Sequence, residues 1–97
     1  MSKRNVYETA VMLWGVDSQV KMLFEEMAEL TQAVCKYFRK PSSETFTHIN
    51  EEMADVEIML AQMRVMFGNE ATDRYKAKKL ARLEGLVNDE SARQVKE

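Results

Sequence analysis

Apolar residues recur at helical spacing along most of this chain, with few interruptions. Between about Asn5 and Trp14, the residues Val6, Ala10, Leu13 and Trp14 fall on one side of a short helix. Asp17 or Ser18 then offers an N-cap for a long helix running to about Arg39, whose apolar seam is Leu23, Met27, Leu30, Val34 and Phe38. Lys40, Pro41, Ser42 and Ser43 break the pattern, because Pro cannot continue the backbone bonding and Ser supplies a new N-cap. The break reads as a hairpin loop. A third helix, from about Glu44 or Phe46 to Phe67, carries Ile49, Met53, Val56, Leu60, Met63 and Phe67. A fourth, roughly Glu70 to Leu86, has the thinner stripe Tyr75, Leu80 and Leu83, and the polar residues from Val87 onward predict a frayed tail. Gly15, Gly68 and Gly85 are placed as expected near helix C-termini. The expected class is all-α, with two long antiparallel helices and shorter flanking ones.

Composition narrows the setting. At 97 residues the chain is expected to be a single domain, and 45% apolar with 31% charged residues excludes both a disordered tail and a membrane protein. The longest apolar stretch, Ala10 to Val16, is far short of the roughly 18 residues a span requires, and no cleavage site follows it. Cys35 is the single cysteine; it forms no intramolecular disulfide, suits a reducing cytoplasmic setting and is expected as a small packing residue. Fourteen basic against sixteen acidic side chains give a net charge of -2, which does not suggest a nucleic-acid coat. A core this thin calls for completion by oligomerisation, as a homodimer or homotetramer with the third helix at or near the interface.

The candidate chemistry lies on the two long helices. At about 100° per residue, with Leu23 as zero, Glu26 falls near 300° and Glu29 near 240°. With Ile49 as zero, Glu52 and Asp55 take the same offsets in the same sense. Antiparallel packing mirrors one helix, so both pairs project on the same side of the hairpin. Their heights above the loop, about 17 and 14 Å at roughly 1.5 Å per residue, also agree. Four carboxylates converging beside an apolar seam are costly unless a cation sits between them, and an all-oxygen set suits Mg²⁺ or Mn²⁺.

The run Glu25-Glu26-Met27-Ala28-Glu29, then twenty-two residues, then Glu52-Met53-Ala54-Asp55, resembles the EExxE and ExxD signature of the MazG-like all-α nucleoside triphosphate pyrophosphohydrolases. The resemblance covers roughly Trp14 to Leu83. It implies a four-helix MazG-like bundle and Mg²⁺-dependent hydrolysis of a nucleoside triphosphate, in which water attacks the α-phosphorus and releases nucleoside monophosphate and pyrophosphate. It further implies Glu26, Glu29, Glu52 and Asp55 as metal ligands, with Glu25, which points away from them, either supporting a ligand from behind or orienting water. Helix four holds Arg74, Lys76, Lys78, Lys79 and Arg82, and Lys79 with Arg82 resembles the family's KxxR ending that reaches the phosphates, with Lys76 a neighbour. Ala77 stands where many relatives have Asn.

Trp14 and Gln19 precede the acidic run as base-pocket residues do in similar proteins, with core or cap roles as the alternative. His48, one turn before Glu52 on the same stripe, is either a ligand or substrate contact or a surface histidine at a helix start. Competing functions are a non-enzymatic helical interaction module and the related phosphoribosyl-ATP pyrophosphatase. A di-iron bundle would require Glu-x-x-His pairs, and His48 is misplaced for one.

Overall fold

The computed structural model describes residues 5–96. They form four α-helices, α1 Val6–Trp14, α2 Val16–Arg39, α3 Ser43–Phe67 and α4 Asn69–Lys96, with no strand among the described residues. No helix among them is long and apolar enough to cross a membrane. The chain divides between Phe67 and Gly68 into two compact units, α1 to α3 in the first and α4 in the second.

Local chemistry sets the ends of α1. The Asn5 side chain accepts from the Glu8 N–H at 2.8 Å, satisfying one of the free donors of the first turn. At the other end Gly15 has φ 89°, a conformation that side-chain-bearing residues rarely adopt, and donates its N–H to the Val11 carbonyl at 2.8 Å. The same glycine opens α2, because its carbonyl accepts from the Gln19 N–H at 3.2 Å. The expected cap by Asp17 or Ser18 is therefore not used: a one-residue reversal at Gly15 leaves both inside the first turn, and α2 begins with no side-chain cap.

At the hairpin loop, Ser42 and Thr45 cap each other. The Thr45 N–H donates to Ser42 Oγ at 3.0 Å and the Ser42 N–H donates to Thr45 Oγ1 at 3.0 Å, so α3 starts at Ser43, slightly earlier than the apolar pattern suggests. Ser42→Ala is expected to cost about 1 kcal/mol, lowering the melting temperature by about 4–8 °C in a domain of this size. An unchanged thermal transition would show that this cap carries no weight.

The three-residue connection makes α2 and α3 antiparallel, and they pack along their length with α1 against both. Their contact line keeps part of the expected seam, with Leu23 buried and Leu30, Val34, Ile49, Val56 and Met63 half-buried, but is shifted from it. Leu23, Ala33 and Met59 are buried together with the polar Gln19, Glu52 and Gln62, whereas Met27 is 48% exposed, Phe38 76% and Leu60 46%. At 100° per residue the packed faces of both helices are turned by roughly 60° toward the carboxylates. The apolar stripe is wider than one helix pair can cover. The edge with Leu23, Ala33 and Met59 faces inward, and the edge with Met27, Phe38 and Leu60 is left outside. Cys35 is exposed rather than packed.

In the second unit, α4 continues through the residues expected to fray, and Gly85 lies inside it rather than at its end. The segment after Val87 contains no Pro or Gly. It also gains local pairs: Arg93 bonds the Glu90 carboxylate and Gln94 Nε2 donates to Glu90 Oε1 at 3.3 Å. Side-chain pairs three and four apart support a polar helix that periodicity alone would discount.

Candidate metal centre

The turn of both packed faces puts acids where an apolar seam would otherwise close. Glu26, Glu52 and Asp55 each bring a carboxylate oxygen within 4.8 Å of the others. Glu29, the fourth expected ligand, is exposed and stands outside these three, although its charge acts on both Glu26 and Glu52. Glu52 is only 8% exposed, Glu26 is half-buried and Asp55 faces solvent. The cluster thus has a buried floor and an open rim.

Two of its oxygens are unsatisfied. Glu26 Oε2 and Glu52 Oε2 are shut off from water and have no hydrogen-bond partner, a costly arrangement for groups that accept strongly when ionised. Burial, followed by the charges of Glu29, Asp55 and Glu52, pushes the Glu26 carboxyl above its ordinary value. Burial and Glu29 likewise raise that of Glu52, with Asp55 adding to the rise and His48 opposing it. Oxygens on opposite sides of one Mg²⁺ are about 4.2 Å apart, so the observed spacing requires only small side-chain adjustments to fit such an ion. The donor set is all oxygen, as hard divalent cations prefer.

A cleft of about 380 Å³ opens beside the acids, lined by Glu29, Gln32, Ala33, Lys36, His48 and Glu52. His48 Nε2 lies 3.7 Å from Glu52 Oε1, on the same face one turn earlier. Lys36 and Gln62 were not singled out by the sequence reading, although each sits two turns beyond a candidate acid, Lys36 after Glu29 and Gln62 after Asp55. Extending each acidic stripe by seven residues would have found both.

The other expected site residues are distributed differently. Glu25 is exposed beside Glu26 but outside the converging group. Gln19 is buried and donates through Nε2 to Gln62 Oε1 at 2.6 Å, so its amide is engaged in the α2–α3 interface. Trp14 is 61% exposed at the end of α1, and neither it nor Gln19 lines the cleft. Lys76, Lys79 and Arg82 lie on α4, where the first two share a face with Tyr75, Leu80 and Leu83. Comparison with family models, curated proteins and solved structures finds no match for this chain.

Proposed function

We propose that this chain is a Mg²⁺-dependent nucleoside triphosphate pyrophosphohydrolase of the MazG-like kind, cleaving between the α- and β-phosphates. The observation that carries this reading is the convergence of Glu26, Glu52 and Asp55 on one spot, with two buried carboxylate oxygens lacking partners. In this reading Glu26, Glu29, Glu52 and Asp55 hold the ion, with Mn²⁺ as a substitute. A bound divalent ion supplies neutralisation of triphosphate charge and lowers the pKa of coordinated water. Glu52, fixed in the helix interface, orients the site from below, and the exposed Asp55 leaves the rim open to substrate. Glu25 takes the water-orienting role that the resemblance gives it. The phosphate roles of Lys76, Lys79 and Arg82 rest on the resemblance alone, as do base contacts by Trp14 and Gln19.

We assign the protein to a homodimer or homotetramer, a four-helix bundle being completed by association, because Met27, Phe38, Met53 and Leu60 form an exposed apolar edge along the hairpin. The same edge favours the competing reading, a helical interaction module without catalysis. A panel of canonical and modified nucleoside triphosphates, with phosphoribosyl-ATP included, separates these readings. With Mg²⁺ or Mn²⁺ in ¹⁸O-labelled water, at least one nucleotide is expected to yield pyrophosphate and a monophosphate carrying the label, and chelation is expected to stop the reaction. Release of orthophosphate alone, or no turnover with any compound, would overturn the assignment.

A further inference from the structure

The cleft beside the acids does not end at His48. It shares Ala33, Lys36 and His48 with a second cleft of about 670 Å³ that continues to the hairpin loop, where Lys40, Ser42 and Thr45 line it. Charge changes sign along this path. Glu29 and Glu52 stand at one end, then Lys36 and His48, then Lys40 with the hydroxyls of the loop. Glu44 and Glu51 also border the outer part, which centres the cationic stretch on Lys36, with the imidazole of His48 beside it. Among the described residues Lys36 makes no ion pair, so its ammonium is available to a ligand.

Glu52 ties this path to the acids. It is more than nine-tenths buried, it lines the inner cleft, and its Oε2 has no partner. A ligand that satisfies both ends must be cationic beside Glu52 and anionic beside Lys36. A metal-bound polyphosphate has that polarity. The inner cleft is within the roughly 300–1,000 Å³ of small-ligand sites, and a lysine ammonium is a compact point charge suited to phosphate.

We propose that the path from the carboxylates to the hairpin loop seats the β- and γ-phosphates of the metal-bound substrate, with Lys36 as the principal contact and His48 and Lys40 as flanking ones. The identity of the anion rests on the pyrophosphohydrolase reading above. The departing pyrophosphate is then held by α2 and α3. Bare polyphosphate is repelled by the acids, so occupancy of this path requires the divalent ion.

Calorimetric titration of the full chain with inorganic tripolyphosphate, with and without Mg²⁺, tests this without turnover. The parent is expected to bind only when Mg²⁺ is present. Lys36→Ala is expected to weaken that binding at least about tenfold, the loss of one charge-assisted contact. Lys21→Ala, which removes an equal charge from an exposed position of α2 outside both clefts, is expected to change it less than about twofold. Equal weakening by the two variants, unchanged binding in Lys36→Ala, or no Mg²⁺-dependent binding by the parent would overturn the assignment. The two proposals also fail separately. Tripolyphosphate binding that depends on Lys36, without hydrolysis of any nucleotide, upholds the subsite and ends the enzymatic reading. Hydrolysis with an unaltered KM in Lys36→Ala does the reverse.

Discussion

Replacing Glu52 with Gln is expected to lower pyrophosphate release by about a thousandfold or more, while the metal-free chain melts no lower than the parent. The two outcomes have one cause. Gln keeps the length and shape of Glu52 in the α2–α3 interface but removes the most buried charge of the cluster. Without that charge the site loses its innermost ligand, and a thousandfold corresponds to about 4 kcal/mol of transition-state stabilisation. In the absence of metal, however, the same charge is a burden, since burial and the neighbouring Glu29 already push the carboxyl toward its neutral form. Neutralising it relieves repulsion, so activity and stability move in opposite directions. A structural role alone would move both downward. Glu57→Gln, on an exposed position of the same helix, is the matched control and is expected to retain turnover. Activity in Glu52→Gln within tenfold of the parent would remove Glu52 from the mechanism.

Helical periodicity and the break at Pro41 are enough to locate four helices and to pair α2 with α3, because both depend on local spacing and on a connection too short for any other geometry. The matched offsets on the two helices likewise forecast that Glu26, Glu52 and Asp55 lie together, whereas Glu29, expected with them, is not one of the converging three. Periodicity did not fix which edge of a broad stripe faces the partner helix. Met27, Phe38 and Leu60 look like core residues by hydropathy, yet the packed edge is that of Ala33, Glu26 and Glu52. The choice depends on how closely two backbones approach, and a one-dimensional pattern does not encode that. As a result Glu26 and Glu52, expected at the border of the seam, lie within it, while Glu29 and Asp55 stay at its exposed rim. Composition also misjudged the residues after Val87, where the Glu90 pairs with Arg93 and Gln94 sustain a helix without an apolar stripe. Gln19 illustrates a third limit. Its position before the acidic run was legible, but its bond to Gln62 depends on a residue 43 positions away.

Thermal stability is expected to depend jointly on pH and Mg²⁺, in directions set by Glu26 and Glu52. Both carboxyls have values raised above the ordinary one, chiefly by burial and then by neighbouring carboxylates. The native state therefore binds protons more tightly than the unfolded chain. The stabilisation from these two groups is complete below the unfolded carboxyl value of about 4.3 and is lost as pH rises through their higher folded values. The metal-free protein should consequently lose melting temperature from mildly acidic toward neutral pH, relative to a Glu26→Gln, Glu52→Gln double variant that lacks both titrations. Other carboxylates are common to the two proteins and largely cancel in that difference. Glu29, Asp55 and His48 face these groups and set its size. Mg²⁺ competes with the protons, so its effect should grow as pH rises. At a hundredfold excess over the dissociation constant, the ion contributes about 2.7 kcal/mol, a rise of about 10 °C or more for a domain of this size. The double variant should show almost none of it. A rise that survives in the double variant places the ion elsewhere, and a metal-free melting temperature that climbs toward neutral pH relative to that variant contradicts the direction assigned to the two buried acids.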